Sequence, residues 1–535
     1  VVVLVSVGTQ VLGWVSTKVL YLQVAPGNCV TGTEPSCLGL HFLGISSFYL
    51  LIASSIGALG DLRVMSAYVY YMARGGDRSA LTGAYAIFRL TSMGVLGLGF
   101  FLFVDLANPS FIPHYTTAVA LFSALPLLEA PGVLFSAYWR GRGEAAYGQT
   151  PLIIETGVRT ALLIFVATSF TTSSLPAQGA SLVTEMALAY FAGGFASLAY
   201  SLSVFREAVL KGARRVLSAM FRFAYPLMGA MLLTYVLTSA PPFFVEGLGG
   251  PAGFQNLQLF NSDNAFLILL MFLPTAVTYP LFPDLASLHV RGLDREIRAR
   301  TRRALRLTSM LLVPAILSVV VFRVDLLRDI YTSAQVTANH SPLALAVLAF
   351  TALPLSLFRI MGTSLDAIGQ QKRELYLSAA QLVVLVAAMA VFIPANGPAS
   401  RLGPEFTGVV GAAIAVFLSA VAGLFVNAFY LHRYLKVHLP LRPYATMLGA
   451  AVASFAVFSN TVLGFFHVSL PVGRTPVLVG VIALGFLVYF GVLLVVGELT
   501  REDVSRILSP FGIPPRGIRF LQRLCRRETW PDLDE

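Results

Sequence analysis

Six basic side chains stand inside otherwise apolar stretches of this sequence: Lys18, Arg63, Arg89, Arg159, Arg222 and Arg359. Carboxylates accompany them. Asp61, Glu129 and Glu155 lie well inside such stretches, and Glu185, Asp263, Asp284 and Asp366 lie near stretch ends. What these groups can do depends on their distance from water. Arg63 precedes Arg74, Arg359 precedes Gly369 and Arg159 follows Gln149, each by about ten residues, so each lies about 15 Å along a helix that rises 1.5 Å per residue. A guanidinium at that depth in an apolar medium costs about 3 kcal/mol on insertion scales unless it faces a wet cavity or a partner. Three of them imply a polar interior. Lys18 and Arg222 are close enough to a stretch end to snorkel to an interface, and Arg89 is intermediate, two turns in. Glu155 and Arg159 are four apart, share a helix face and can pair, either as a structural ion pair or within a polar site. Asp61 and Arg63, two apart, fall on different faces. Glu129, between Pro126 and Pro131, is the carboxylate best suited to hold a proton or a coupling ion, with Asp61 and Glu155 as further candidates.

The elements that must position these groups follow from composition. Hydrophobic residues make up 56% of the chain and charged residues 12%. That is about half the charged share of a soluble protein. Mean hydropathy is +0.77. Apolar runs of about 20 residues recur throughout, each long enough to cross a hydrocarbon core as a helix, and no strand alternation is sustained. The expectation is an all-α polytopic membrane protein of about fourteen transmembrane helices. The second run, from about His41 to Met72, is overlong and should break near Gly57 to Gly60. Pro126 and Pro131 in the fourth run, Pro226 in the seventh, and Pro274, Pro280 and Pro283 in the eighth are candidate hinges. The seventh run should end at Pro241 and Pro242.

A duplication organises the runs. Residues 74–93 read RGGDRSALTGAYAIFRLTSM and residues 291–310 read RGLDREIRARTRRALRLTSM, matching without a gap at Arg, Gly, Asp and Arg and again at Arg, Leu, Thr, Ser and Met. The copies lie six runs apart, so both turns face the same side, as in parallel-repeat transporters. The expected organisation is therefore two pseudo-symmetric six-helix lobes plus two extra C-terminal helices. Residues 1–205 form the N-terminal lobe (helices one to six), 206–216 a cytoplasmic linker and 217–431 the C-terminal lobe (helices seven to twelve). Residues 432–499 hold helices thirteen and fourteen, and 500–535 form a basic cytoplasmic tail whose alternating basic and apolar residues suit the membrane surface.

The net charge of +11 does not point to nucleic acid, because most of the Lys and Arg sit on one set of alternating loops and on the tail. That is the positive-inside pattern, which assigns those loops and the C-terminus to the cytoplasm of a cell-membrane protein. No HExxH, no phosphate-binding Gly-rich loop and no acidic metal-holding outside loop occurs, so neither an enzyme nor a cofactor or metal is expected. Cys29 and Cys37, close together in the first outside loop, are candidates for a disulfide or for two free thiols. Cys525 lies in the tail. The first run is long enough to span and lacks a clear cleavage site, so it is not expected to be a removable signal.

Several segments in order carry a family resemblance: SSIGALGDLRVMSAYVYYMARGG; SAYWRGRGEAAYGQTPLIIETGVRTALLI; FRFAYPLMGAMLLTYVL; LPTAVTYPLFPDLASLHVRGLDREIRARTRRALRLT; GTSLDAIGQQKRELYLSAAQ; and GVVGAAIAVFLSAVAGLFVNAFYLHRYL. Together they resemble the polysaccharide and lipid-linked oligosaccharide flippases of the multidrug/oligosaccharidyl-lipid/polysaccharide (MOP) exporter superfamily. The resemblance implies two lobes around a central cavity, rocking between inward-open and outward-open states to move an isoprenoid-linked glycan across the membrane. It implies cationic residues holding the phosphate or pyrophosphate, a role that Arg63, Arg159 and Arg359, with Arg89, suit because guanidinium binds phosphate oxygens bidentately. Membrane lipids, H+ or Na+ as driving ion, and glycan-assembly proteins are the implied partners. The Cys loop and the PPFF at the end of the seventh run depart from many relatives. The alternative is an ion-coupled exporter of drugs or amphipathic cations from the same superfamily, whose site should be acidic and aromatic. A third class, a non-transporting scaffold, has little use for buried arginines.

Overall fold

The computed structural model describes residues 35–501 except 62–63, 74–76, 108–111, 143, 145–146, 170–174, 205–212, 250–252, 331–340, 369, 404–405, 438–440, 467–473 and scattered positions in 272–290; in parts of the helices only the backbone is described. The apolar runs become helices: α1 (Pro35–Leu59), α2 (Val64–Ala73), α3 (Arg78–Ala107), α4 (Ile112–Gly141), α5 (Thr150–Ser169), α6 (Leu175–Val204), α7 (Ala213–Leu248) and α8 (Gly253–Leu270). They continue as α9 (Asp294–Val321), α10 (Arg323–Ile330), α11 (Ser341–Ala367), α12 (Gln371–Phe392), α13 (Gly408–Leu435), α14 (Leu441–Phe466) and α15 (Arg474–Val496). Among the described residues, 9 helices are long and apolar enough to cross a membrane. The protein is an all-helical, multi-pass membrane protein. The expected first run, Lys18, Cys29, Arg63 and the tail from residue 502 lie outside the described residues.

The second run breaks at the end of the Gly57 to Gly60 stretch: α1 ends at Leu59 and α2 starts at Val64. Gly60 N–H donates to the Ile56 carbonyl at 2.9 Å and Val64 N–H to the Asp61 carbonyl at 2.8 Å, which satisfies the backbone on both sides. Cys37 differs from expectation. It falls in the first turns of α1 rather than in a loop.

Several prolines lie inside continuous helices. α4 continues through Pro126 and Pro131, and α11 through Pro354. Nor does α7 stop at Pro241 and Pro242; it runs on to Leu248. Packing overrides the missing donors there, because Val245 is fully buried and Phe243 meets the Phe48 ring edge-on at 5.7 Å. In the eighth run the helix does stop, at Leu270, four residues before Pro274.

The chain packs as two compact units: Val1–Asp263, Ile330–Ser341 and Ser378–Ala415 in the first, and Asn264–Asp329, Pro342–Leu377 and Val416–Glu535 in the second. In the first unit α4 packs on α6, α5 on α6, and α7 on α1, α2 and α3. One core there gathers Tyr49, Phe122, Leu125 and Met93, and another Tyr68, Tyr85, Leu81 and Met220. In the second unit α14 and α15 pack on α9, with Met310, Phe322, Phe455 and Tyr489 at the centre.

The two copies of the repeated turn share one burial pattern and differ in another. Arg89 and Arg306 are both buried, as are Met93 and Met310. Thr91 is exposed while Thr308 is fully buried. The extra helices account for the difference: the Tyr489 hydroxyl donates to the Met310 carbonyl at 3.0 Å, and Arg306 Nη2 donates to the Glu498 carbonyl.

Candidate functional site

The first unit gathers most of the charged residues singled out above. Asp61 stands at the break between α1 and α2, where the chain leaves the helix and its side chain is released toward α3. Tyr85, on the facing side of α3, donates its hydroxyl to Asp61 Oδ1 at 2.6 Å. Arg89, one turn further on, places Nη1 3.5 Å from the same oxygen. The next turn of α3 closes the break, since Ser92 Oγ donates to the Gly60 carbonyl at 2.8 Å. Tyr68 stacks on Tyr85 with ring centroids 5.1 Å apart and shares a 3.0 Å hydrogen bond with Thr82. Arg89 is only 5% exposed, and its Nε and Nη1 make no hydrogen bond among the described residues. A buried guanidinium with free donors is costly unless something else accepts from it.

A second pair lies on α5. Arg159 Nη1 is 3.5 Å from Glu155 Oε1, so the four-residue spacing does bring them together. The guanidinium also lies over the Tyr190 ring of α6, 5.0 Å from its centroid. Thr156 and Thr160, on the neighbouring stripe of α5, are buried with hydroxyls that accept no described partner. The pair can sit this close to α6 because α6 has no side chain at Gly193: a Cβ there would lie 2.9 Å from the Glu155 carbonyl oxygen and 3.1 Å from Arg159 Cβ. Gly194 does the same toward α4, with Leu125 at 3.1 Å.

Glu129, on α4, lies in the electrostatic field of Glu155, Arg159 and Arg89. Arg89 is engaged by Asp61 and Arg159 by Glu155. Glu129 is thus the carboxylate of the group with no cation of its own among the described residues. Residues assigned from sequence to two separate tasks, Arg89 and Arg159 to an anion and Asp61, Glu129 and Glu155 to an ion, therefore form one mixed-charge network.

Arg359 belongs to the second unit, on α11. It is exposed and has no acidic partner among the described residues, in a span of mean hydropathy 2.0. Asn427 of α13 fixes the helix beside it by donating to the Phe358 carbonyl at 3.0 Å. Arg63 and Cys29 lie outside the described residues, as does the side chain of Cys37. Sequence reasoning missed Tyr85, Thr156, Thr160 and Tyr190. Tyr85 had a usable signal, lying four residues before Arg89 on one face, and so did the four-residue spacing of Thr156 and Thr160 inside an apolar run; Tyr190 is visible only through packing.

Neither the protein-family models nor the curated proteins compared with this sequence give a match. Solved structures do. An inward-closed conformation of the Lipid II flippase MurJ superposes with a TM-score of 0.60 at 13% identity, covering 95% of this chain and 98% of that one. An inward-facing multidrug resistance MATE family transporter of the MOP superfamily gives 0.58 at 13% identity, with 80% and 94% covered.

The fold is that of the MOP superfamily transporters.

A third MOP transporter, from Pyrococcus furiosus, described by the reverse polarity of its binding pocket, gives 0.56 at 14% identity over 81% of this chain and 94% of that one.

Proposed function

We propose that the protein is a flippase that moves a lipid-linked oligosaccharide or polysaccharide repeat unit from the cytoplasmic to the outer leaflet by alternating access. Arg359 carries this reading. It is a cation with no described acidic partner, in the middle of an apolar span, and a group so placed must face water or a ligand anion. A phosphate or pyrophosphate on an isoprenoid lipid is such an anion and accepts two parallel hydrogen bonds from one guanidinium. Arg63 and Arg159, with Arg89, are the further candidates for holding the phosphate. Two six-helix lobes, 1–205 and 217–431, joined by the linker 206–216, rock about the substrate, and helices in 432–499 flank its lipid tail. The basic loops and the tail at 500–535 face the cytoplasm, and glycan-assembly proteins deliver the substrate there. The match that covers 95% of the chain, against about four-fifths for the MATE structures, supports the flippase within the superfamily.

One observation favours a second reading, an ion-coupled exporter of amphipathic cations. In the first unit three carboxylates, Asp61, Glu129 and Glu155, accompany two guanidiniums, Arg89 and Arg159, beside the aromatic ring of Tyr190. Binding of a lipid-linked oligosaccharide to the purified protein separates the two. Under the flippase reading wild type binds and Arg359→Ala loses about tenfold or more, as expected for a hydrogen bond to a charged group. Binding of organic cations instead, abolished by Glu129→Gln, establishes the exporter.

A further inference from the structure

The end of α13 carries a feature that the transport site does not use. Phe429, His432, Arg433 and Lys436 line a cavity of ≈ 520 Å³. Their spacing of three, four and seven residues puts them on one helix face. The other faces of this helix end are already committed. Leu431, Leu435 and Val437 are buried in the core of the second unit, and Tyr430 and Tyr434 take the Arg373 guanidinium at 5.2 and 3.8 Å from their ring centroids. The cationic face is the exposed one. Toward the middle of the span it continues as Phe429 and Phe425, 58% and 70% exposed. This stripe thus passes from bare aromatic rings to two cations, Arg433 and Lys436, with His432 beside them.

Lys436 adds a second observation. It is the one non-glycine residue among the described residues with a positive φ, at 50°. Its N–H donates to the His432 carbonyl at 2.9 Å, closing the helix in the left-handed conformation that usually belongs to glycine. A lysine in that conformation is strained relative to glycine, an outlier of the kind that collects at ligand-holding positions. Cations at a helix C-terminus also complement the macrodipole, but that role does not require one at the left-handed position.

We propose that this face is a binding site for one anionic phospholipid of the leaflet on the side of the basic loops. The phosphate of the headgroup sits among His432, Arg433 and Lys436, and the acyl chain lies along Phe429 and Phe425. The charge complementarity selects an anionic lipid, and the adjoining exposed rings select a lipid over a free phosphate, which would leave them uncovered. The lipid belongs to the protein's own membrane and is distinct from the transported substrate, since neither Arg159 nor Arg359 contributes to it.

The test is native mass spectrometry of the purified full chain from micelles doped with phosphatidylglycerol or phosphatidylcholine. Wild type should retain one phosphatidylglycerol and no phosphatidylcholine. Arg433→Gln and Lys436→Gly should each lower retention about fivefold, the effect of one basic residue near an anionic lipid surface. Lys436→Gly relieves the backbone, so its thermal transition should stay level or rise while lipid is lost, a combination that a purely structural lysine does not give. Equal retention of both lipids, or unchanged phosphatidylglycerol retention in both variants, overturns the site. So does displacement of the lipid by inorganic phosphate at equal concentration, which would make this a site for phosphate itself.

Discussion

Asp61 and Arg89 show how a charge pair can hold an element in place. The pair spans the broken stretch between α1 and α2, and Tyr85 supplies a hydrogen bond to the half-buried carboxylate. Removing one partner of a buried pair leaves the other uncompensated, so Asp61→Asn should destabilise by about 3–5 kcal/mol. The double change Asp61→Asn with Arg89→Gln should recover much of that loss in a thermal unfolding double-mutant cycle in detergent. Tyr85→Phe, which deletes only the hydroxyl, should cost about 1–2 kcal/mol by the same readout. At Glu129 the prediction concerns transport. With no described cation of its own, Glu129 is the group in the network freest to take up and release a proton, so Glu129→Gln should leave folding intact and remove the dependence of transport on a proton gradient, measured in proteoliposomes with and without an imposed gradient. Arg89, Glu129, Glu155 and Arg159 were all visible in the sequence as charges in apolar runs. What was not visible is that they share one network, because charges on three different helices meet only through the packing of α3, α4 and α5.

Helices in this protein approach each other where side chains are missing, and that makes the packing testable. A Cβ at Gly44 of α1 would collide with the Phe254 carbonyl of α8, whereas a Cβ at Gly57 of the same helix meets nothing within 4 Å. Gly44→Ala should therefore destabilise by about 1–3 kcal/mol through overpacking, while Gly57→Ala, which gains helix propensity, should be neutral or stabilising by about 0.5–1 kcal/mol. Thermal transitions of the two variants side by side give the comparison. The break in the second run was legible because Gly57, Gly60 and Asp61 combine weak helix propensity with a charge. The end of α7 was misjudged for the opposite reason: Pro241 and Pro242 disfavour a helix locally, but the burial of Val245 and the contact of Phe243 with Phe48 outweigh the lost backbone bonds. Proline marks where a helix can bend, and tertiary packing decides whether it ends.

At the scale of the whole molecule, composition alone made the chain a helical membrane protein, since only helices satisfy every backbone group within a segment inside hydrocarbon. The duplicated turn raised the expectation of two related halves, and its two copies differ in their surroundings. The second copy, at Arg306 to Met310, is covered by α14 and α15, and the first is not. Which residues pack into one compact unit could not be read from the repeat, because contacts recruit α7 to helices that precede the linker. Carriage of a lipid-linked glycan phosphate is tested by a flipping assay in proteoliposomes, with a fluorescent isoprenoid-linked oligosaccharide placed in one leaflet and its arrival in the other read by quenching. A flippase gives transfer by wild type, a loss of about tenfold or more in Arg359→Ala at unchanged folding, and no transfer of organic cations. Cation transport without glycan transfer, retained in Arg359→Ala and abolished in Glu129→Gln, would contradict it.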